Sequence, residues 1–222
     1  MKIHFLGTRG NIPASTPYHS KHSGILVEDV LFDVGEEEFL KYNPKAICIT
    51  HLHPDHAFFV KDRDGNPPGM PVYAPEEAEG VEKLNESKKI AGLMVHPIPA
   101  IHSKYVESNA YIIEKKQKRI LYTGDMIWIN KEYHERLEGL DLVITDGSYM
   151  RKGGMIRRDR EGNIYGHQGI PNLVNLFKKF TDHIILTHFG SWFYKDMKEA
   201  RKRLRSFGIR VEAAYDGMKT EV

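Results

Sequence analysis

The chain has few features that would cross-link it or hold it in a membrane. It contains a single cysteine, Cys48, so no disulfide can close within the chain. Cys48 lies in an apolar run and is expected to be buried, which is compatible with a reducing compartment. No apolar stretch approaches the ~20 residues that span a bilayer. Met1-Lys2-Ile3-His4-Phe5-Leu6 enters a strand pattern directly, with neither an apolar leader core nor a cleavage site. These absences lead to the expectation of a cytoplasmic protein without a membrane partner. An excess of one charge sign is also lacking. Lys and Arg number 32 against 30 Asp and Glu, a net charge of +2. That balance permits an anionic substrate but gives no reason to expect nucleic acid to wrap around the chain. There is no internal repeat and no low-complexity linker, so residues 1–222 are read as one domain with room for a sizeable core.

Histidine is plentiful, with 12 in the chain. Three of them fall in one short stretch, His51-Leu52-His53-Pro54-Asp55-His56, directly behind the apolar run 46–49. An apolar run followed by a polar, proline-containing turn reads as a strand end opening into a loop. His and Asp suit zinc, with manganese or iron as alternatives. Four ligands this close cannot all reach one ion without strain. Alternate residues of an extended segment share a side, so His51 and His53 can grip one metal. Asp55 and His56, past Pro54, turn toward a second position.

The rest of the chain alternates strands and helices. Strand patterns occupy 2–6, 24–27, 30–35, 46–49, 72–74, 93–98, 141–145, 183–186 and 210–213. Residues 109–114 and 119–122 read as a hairpin around a lysine-rich tip. Helical patterns occupy 36–42, 76–89, 170–180 and 196–207, the last ended by Gly208. The segments 61–71 and 151–166 read as loops. Early strand runs followed by strand–helix alternation fit two sheets with helices outside them, an α/β arrangement.

Two metals need roughly seven protein ligand positions. Three further candidates each follow an apolar strand: His102 after Ile98-Pro99-Ala100-Ile101, Asp125 after Tyr122-Thr123-Gly124, and His188 after Ile184-Ile185-Leu186-Thr187. Loops at strand ends are where a rigid scaffold presents reactive groups. Gly124 would let the backbone approach the metals closely. His4, His19, His22, His96, His134 and His183 lack this context and are read as structural or surface residues.

Taken in order, Phe5-Leu6-Gly7-Thr8, Leu31-Phe32-Asp33-Val34-Gly35, the 51–56 loop, His102, Tyr122-Thr123-Gly124-Asp125 and Leu186-Thr187-His188-Phe189 resemble the metallo-β-lactamase-fold hydrolases. Ala214-Tyr215-Asp216-Gly217-Met218 resembles that family's closing segment. The resemblance implies an αββα sandwich with two divalent metals at one edge of its two mixed sheets. It assigns His51, His53 and His102 to one metal, Asp55, His56 and His188 to the other, and Asp125 as the bridge. A hydroxide between the metals would be the nucleophile, and Asp55 would also orient it. Asp33 would orient a ligand histidine.

A narrower resemblance points to the phosphodiesterase branch that includes ribonuclease Z. It implies His167 as general acid or phosphate-stabilising group, oriented by Asp146, with a cap on the helix starting near Ile170 as the alternative. That branch carries His-Glu-Ala-Thr where this chain has Thr145-Asp146-Gly147-Ser148, and the 109–122 hairpin is too compact for an arm that grips transfer RNA. The expected substrate is therefore a small or cyclic phosphodiester, or an RNA end. The Arg-rich 151–160 segment supplies Arg151, Arg157 and Arg158 as phosphate contacts, and Ser191 is a further donor. Trp192, Phe193 and Tyr149 are candidates for stacking, whereas 201–205 reads as a solvated basic face. A lactonase or thioesterase using the same metals is the alternative, followed by a catalytically silent metal-binding protein. A homodimer is compatible with the family.

Overall fold

In the central strands of this protein, neighbouring residues serve different cores. Phe32, Cys48, Tyr122, Ile144 and Ile185 point into one apolar layer. Leu31 and Ile47 point into a second, and Leu121, Val143, Ile184 and Leu186 into a third. A strand buried on both faces needs apolar residues at every position, which is why these strands read as continuous runs. The computed structural model describes residues 1–61 and 67–222. It shows two mixed sheets packed face to face across the first layer, with helical segments over their outer faces: the αββα metallo-β-lactamase-type sandwich.

The first sheet runs in the order Lys219–Glu221, Lys2–Gly7, Gly24–Val27, Val30–Phe32, Ala46–Cys48, Val72–Ala74, Glu82–Lys83. Its last four strands are parallel. The second sheet runs Trp128–Ile129, Leu93–Ile101, Asn109–Lys115, Lys118–Tyr122, Leu142–Asp146, His183–Thr187, Arg210–Ala213, and its last four strands are likewise parallel. Lys88–Ile90 pairs beside Leu93–Ile101. Helices α1 (Ile170–Phe177), α2 (Ser191–Lys195) and α3 (Met197–Leu204) cover the second sheet through Leu173, Val174, Phe177, Phe193 and Leu204. Crossovers between parallel strands leave loops at their carboxyl ends, where ligands of open α/β sheets bind.

Four expectations need correction. The segment 76–89 forms turns and the short strands Glu82–Lys83 and Lys88–Ile90 instead of a helix. It buries only Val81 and Leu84 between its ends, and Gly80 sits at φ 68°, outside helical space. The segment 151–166 contains a hairpin, Met155–Arg158 against Ile164–His167, where a loop is expected. Only Gly166 among its strand positions is buried, so no apolar alternation marks them. The helix expected over 36–42 is the 3₁₀ turn Glu37–Tyr42, ended by Asn43 in the left-handed region. The helix expected over 196–207 is α3 followed by a 3₁₀ turn to Phe207. The loop expected over 61–71 lies partly outside the described residues. Among the described residues, no helix is long and apolar enough to cross a membrane.

The loop after Lys2–Gly7 is tied to the closing segment. Asp216 accepts hydrogen bonds from Thr8 Oγ1 at 2.7 Å, Ser20 N at 2.8 Å and Lys21 N at 3.0 Å. Thr8 in turn contacts His19 Nδ1 at 2.9 Å. Arg201 from α3 lies 3.0 Å from His19 Nε2. Thr8 gives its proton to Asp216 and arginine can only donate, so His19 must be neutral, with Nδ1–H donating and Nε2 accepting. His19 is 1% exposed. Burial and the facing Arg201 guanidinium lower its pKa to about 4. The unfolded chain takes up this proton near pH ~6.5. It therefore binds more protons than the folded chain between that pH and about 4, and stability falls as pH falls through this window. Urea unfolding at pH 7 and pH 4.5 should show a pH-dependent loss about 2 kcal/mol smaller in His19→Gln than in wild type.

Candidate metal centre

The carboxyl ends of the strands converge on one edge. Asp33 follows Val30–Phe32, His51 lies just past Ala46–Cys48, and His102 follows Leu93–Ile101. Asp125 lies past Lys118–Tyr122, Asp146 ends its strand, and His188 follows His183–Thr187. Two of these positions carry backbone strain. Asp33 has φ 58° and His188 φ 56°, in the left-handed region that costs most side chains about 1 kcal/mol or more. Gly124, at φ 56°, has a different reason to be there. A Cβ on it would meet Thr50 Oγ1 at 2.4 Å, so only glycine lets this turn pass the 50–56 loop.

The ligand-type side chains gather in overlapping groups whose donor atoms lie within 4.8 Å of one another: His51, His53 and His102; Asp55, His56, Asp125 and His188; and Asp125, Asp146, His167 and His188. Asp125 faces two ways. Its Oδ2 lies 3.9 Å from His51 Nε2 and 3.8 Å from His102 Nε2, while its Oδ1 lies 3.4 Å from His56 Nε2 and 3.0 Å from His188 Nδ1. Asp55 Oδ2 contacts His188 Nε2 at 3.1 Å.

Several imidazoles are anchored through one nitrogen, which leaves the other for the centre. His102 Nδ1 donates to the Gly166 carbonyl at 2.9 Å. His56 Nδ1 donates to Asp33 Oδ2 at 2.7 Å. The same carboxylate accepts from Thr50 N at 2.7 Å and from Tyr122 OH at 2.7 Å. The donor set then passes a direct test of fit. His51 Nε2, His102 Nε2 and Asp125 Oδ1 are buried with no hydrogen-bond partner. Buried polar atoms are ordinarily satisfied, and divalent cations would supply the partner that each of them lacks.

The electrostatics differ between the groups. Burial and the neighbouring histidines push His51 well below its ordinary value. Burial brings His102 down to about 4 against the pull of Asp125. In the carboxylate-rich group, burial opposes protonation but the carboxylates outweigh it. Asp125, Asp33 and Asp55 raise His56, and Asp125, Asp146 and Asp55 raise His188 to about 10. The groups therefore differ in character: a triad of imidazoles beside a set in which carboxylates and imidazoles face each other. Both suit a hard-to-borderline divalent ion.

His167 and Asp146 stand at the same place. His167 Nδ1 lies 2.8 Å from Asp146 Oδ2, and Ser148 Oγ lies 2.9 Å from His188 Nδ1. Burial works against the His167 imidazolium, but the Asp146 and Asp125 carboxylates prevail and raise its pKa. A cavity of about 700 Å³ opens over His53, Asp55, His102, Asp125, His167 and His188. Of the residues proposed from the sequence as substrate contacts, Arg151 and Ser191 line it. Arg157 and Arg158 do not. They lie exposed on the hairpin, contacting Met155 Sδ at 3.6 Å and the Gly162 carbonyl at 3.0 Å. Arg203, read from the sequence as part of a solvated face, lines the cavity. Sequence reading also missed Ser148, Thr50 and Tyr122 as partners of the centre. The position of Thr50 next to His51 was the one available signal.

Residues 76–189, a little over half of the chain, match the family model described as a beta-lactamase superfamily domain. The chain belongs to the β-lactamase superfamily. The matched segment holds His102, Asp125, Asp146, His167 and His188. A ribonuclease Z of Halalkalibacterium halodurans is 24% identical over 179 residues, covering 79% of this chain and 54% of that protein. The chain thus spans about half the length of that curated relative. Among solved structures, a diphosphatase of the PhnP family superposes with a TM-score of 0.72 at 21% identity, covering 100% of this chain and 97% of the other. The metallo-β-lactamase fold protein YhfI of Bacillus subtilis superposes with a TM-score of 0.70 at 18% identity, covering 99% of each. These structural likenesses show the shared fold. Fold, family and His/Asp clusters together are those of the metallo-β-lactamase superfamily, with donor groups that could hold divalent metal.

Asp33 reaches the cluster through His56 and through Thr50, whose Oγ1 contacts both Asp33 and His51 Nδ1. Asp33→Asn keeps the volume but removes the charge that fixes the His56 proton on Nδ1. Zinc affinity, measured by competition with a chromophoric chelator, should fall by about 10–100-fold.

Proposed function

We propose that the protein is a dinuclear metal-dependent phosphodiesterase acting on a small phosphodiester or an RNA end. His51, His53 and His102 would hold one divalent ion, Asp55, His56 and His188 the other, with Asp125 between them and zinc as the metal. The supporting observation is the His167–Asp146 pair, 2.8 Å apart, opening on the same cavity as both clusters. The similar ribonuclease Z and the PhnP-family diphosphatase are both named for hydrolysis at phosphorus, which supports a phosphorus-centred reaction.

When bound, divalent cations supply Lewis acidity to a phosphoryl oxygen and bring a coordinated water toward neutral pKa. The chain's own residues do the rest. Asp146 engages His167 Nδ1, which leaves Nε2 as the nitrogen that can act on substrate. The Asp146 and Asp125 carboxylates beside His167 favour its protonated form. Nε2 can therefore hold a proton over the cavity and deliver it to the departing oxygen, an arrangement worth roughly 100–10,000-fold in rate. Asp55, anchored on His188 Nε2 at 3.1 Å, would orient the attacking water. Arg151 presents a cation to the phosphate, its Nε fixed by the Gly154 carbonyl at 2.7 Å.

Zinc-loaded protein should cleave bis(p-nitrophenyl) phosphate and leave a simple lactone untouched. His167→Ala should lower kcat by about 100-fold or more while metal content stays at the wild-type level. Hydrolysis of lactones alone, or full phosphodiesterase activity in His167→Ala, would contradict the reading.

A further inference from the structure

The cavity is larger than the reaction at its floor requires. At about 700 Å³ it falls in the range that encloses a drug-sized ligand, far beyond one phosphodiester group. The acidic residues among those lining it are Asp55 and Asp125, both engaged with histidines of the clusters. The remaining charged residues are cations, Arg151 and Arg203. Apolar and aromatic surface comes from Ile12, Met150, Tyr149 and Trp192. The two rings are held by their polar atoms: Trp192 Nε1 donates to the Gly147 carbonyl at 2.8 Å, and Tyr149 OH contacts Met155 Sδ at 3.3 Å.

Among the described residues of α3, Arg203 is the one that borders the cavity. Arg201 is occupied by His19, at 3.0 Å, and by the Phe193 ring, 5.2 Å from its guanidinium carbon. Lys202 pairs with Glu199 at 3.7 Å. Among the described residues no carboxylate lies within ion-pair distance of Arg203, although its side chain borders the cavity. An arginine at a cavity wall with no internal partner offers a guanidinium fork to an incoming anion. Arg151 lies near the hairpin, stacked on Tyr149 with its guanidinium carbon 5.7 Å from the ring centroid. The two cations come from separate segments.

We infer that Arg203 is a specificity-determining residue that receives a second anionic group of the substrate. The substrate class is then a phosphodiester carrying an aromatic ring and a further phosphate, as in a nucleotide phosphorylated at a second position. The substrate class rests on the phosphodiesterase reading. The anion contact at Arg203 does not, because it concerns binding alone.

The test uses the full, zinc-loaded chain. Calorimetric titration with thymidine 3′,5′-bisphosphate and with thymidine 5′-monophosphate gives a ratio of dissociation constants for each variant. In wild type the bisphosphate should bind about tenfold tighter, the contribution of one charge-assisted contact. R203Q should bring the ratio close to one, and R203K should retain part of it. R205Q removes the same charge from the same end of the helix, outside the cavity, and should keep the wild-type ratio. A wild-type ratio near one, an unchanged ratio in R203Q, or an equal loss in R205Q would overturn the inference. The p-nitrophenyl 5′-esters of the same two nucleotides separate the layers. Binding that depends on Arg203 without hydrolysis of either ester would keep the subsite and remove the phosphodiesterase reading. Hydrolysis with a ratio indifferent to R203Q would do the reverse.

Discussion

A buried carboxylate bridges the two sheets beneath the candidate metal centre. Asp33, at the end of a first-sheet strand, accepts from the Thr50 backbone at 2.7 Å and contacts His56 at 2.7 Å on its own side. It accepts from Tyr122 OH, on the second sheet, at 2.7 Å. An ionised carboxylate at 0% exposure is tolerated only when its lone pairs are filled, and here the partners come from both layers. Any relative movement of the sheets at this edge would strip the carboxylate of a donor. The cost of leaving it unsatisfied therefore keeps the edge rigid. This explains how a residue in the left-handed region, at φ 58°, persists there.

The rest of the centre follows from that fixed edge. The 51–56 loop leaves the first sheet beside Asp33, and His102, Asp125 and His188 arrive from strand ends of the second sheet. Asp125 turns one oxygen to the imidazole triad and the other to His56 and His188. The hairpin adds the Gly166 carbonyl, which orients His102 from outside the ligand set. Next in the chain is His167, whose pairing with Asp146 returns the contact to the second sheet. One backbone segment, Gly166-His167, thus touches both His102 and Asp146.

The sequence carried much of this centre openly. The spacing of His51, His53, Asp55 and His56 needs no tertiary information. His102, Asp125 and His188 all follow the local rule that reactive groups sit just past apolar strands. The αββα order was legible because strands buried on both faces spell long Val/Ile/Leu runs. Contacts made over long sequence separations by ordinary residue types were not legible. Tyr122 reads as one more core aromatic, and its hydroxyl matters only because Asp33 lies opposite. Arg203 looks like its neighbours Arg201 and Arg205, and only the packing of α3 brings it to the cavity. The 76–89 segment looked helical from its proline start and its Glu and Lys content. Gly80 and the lack of a continuous apolar face decided otherwise.

The most direct test of the central claim is the location of metal in crystals of zinc-loaded protein by anomalous scattering at the zinc edge. The account predicts two ions about 3.5–4 Å apart, one on His51, His53 and His102 and one on Asp55, His56 and His188, with Asp125 touching both. A single ion seated among Asp125, Asp146, His167 and His188 would contradict it, because His167 would then be a ligand with no proton to give.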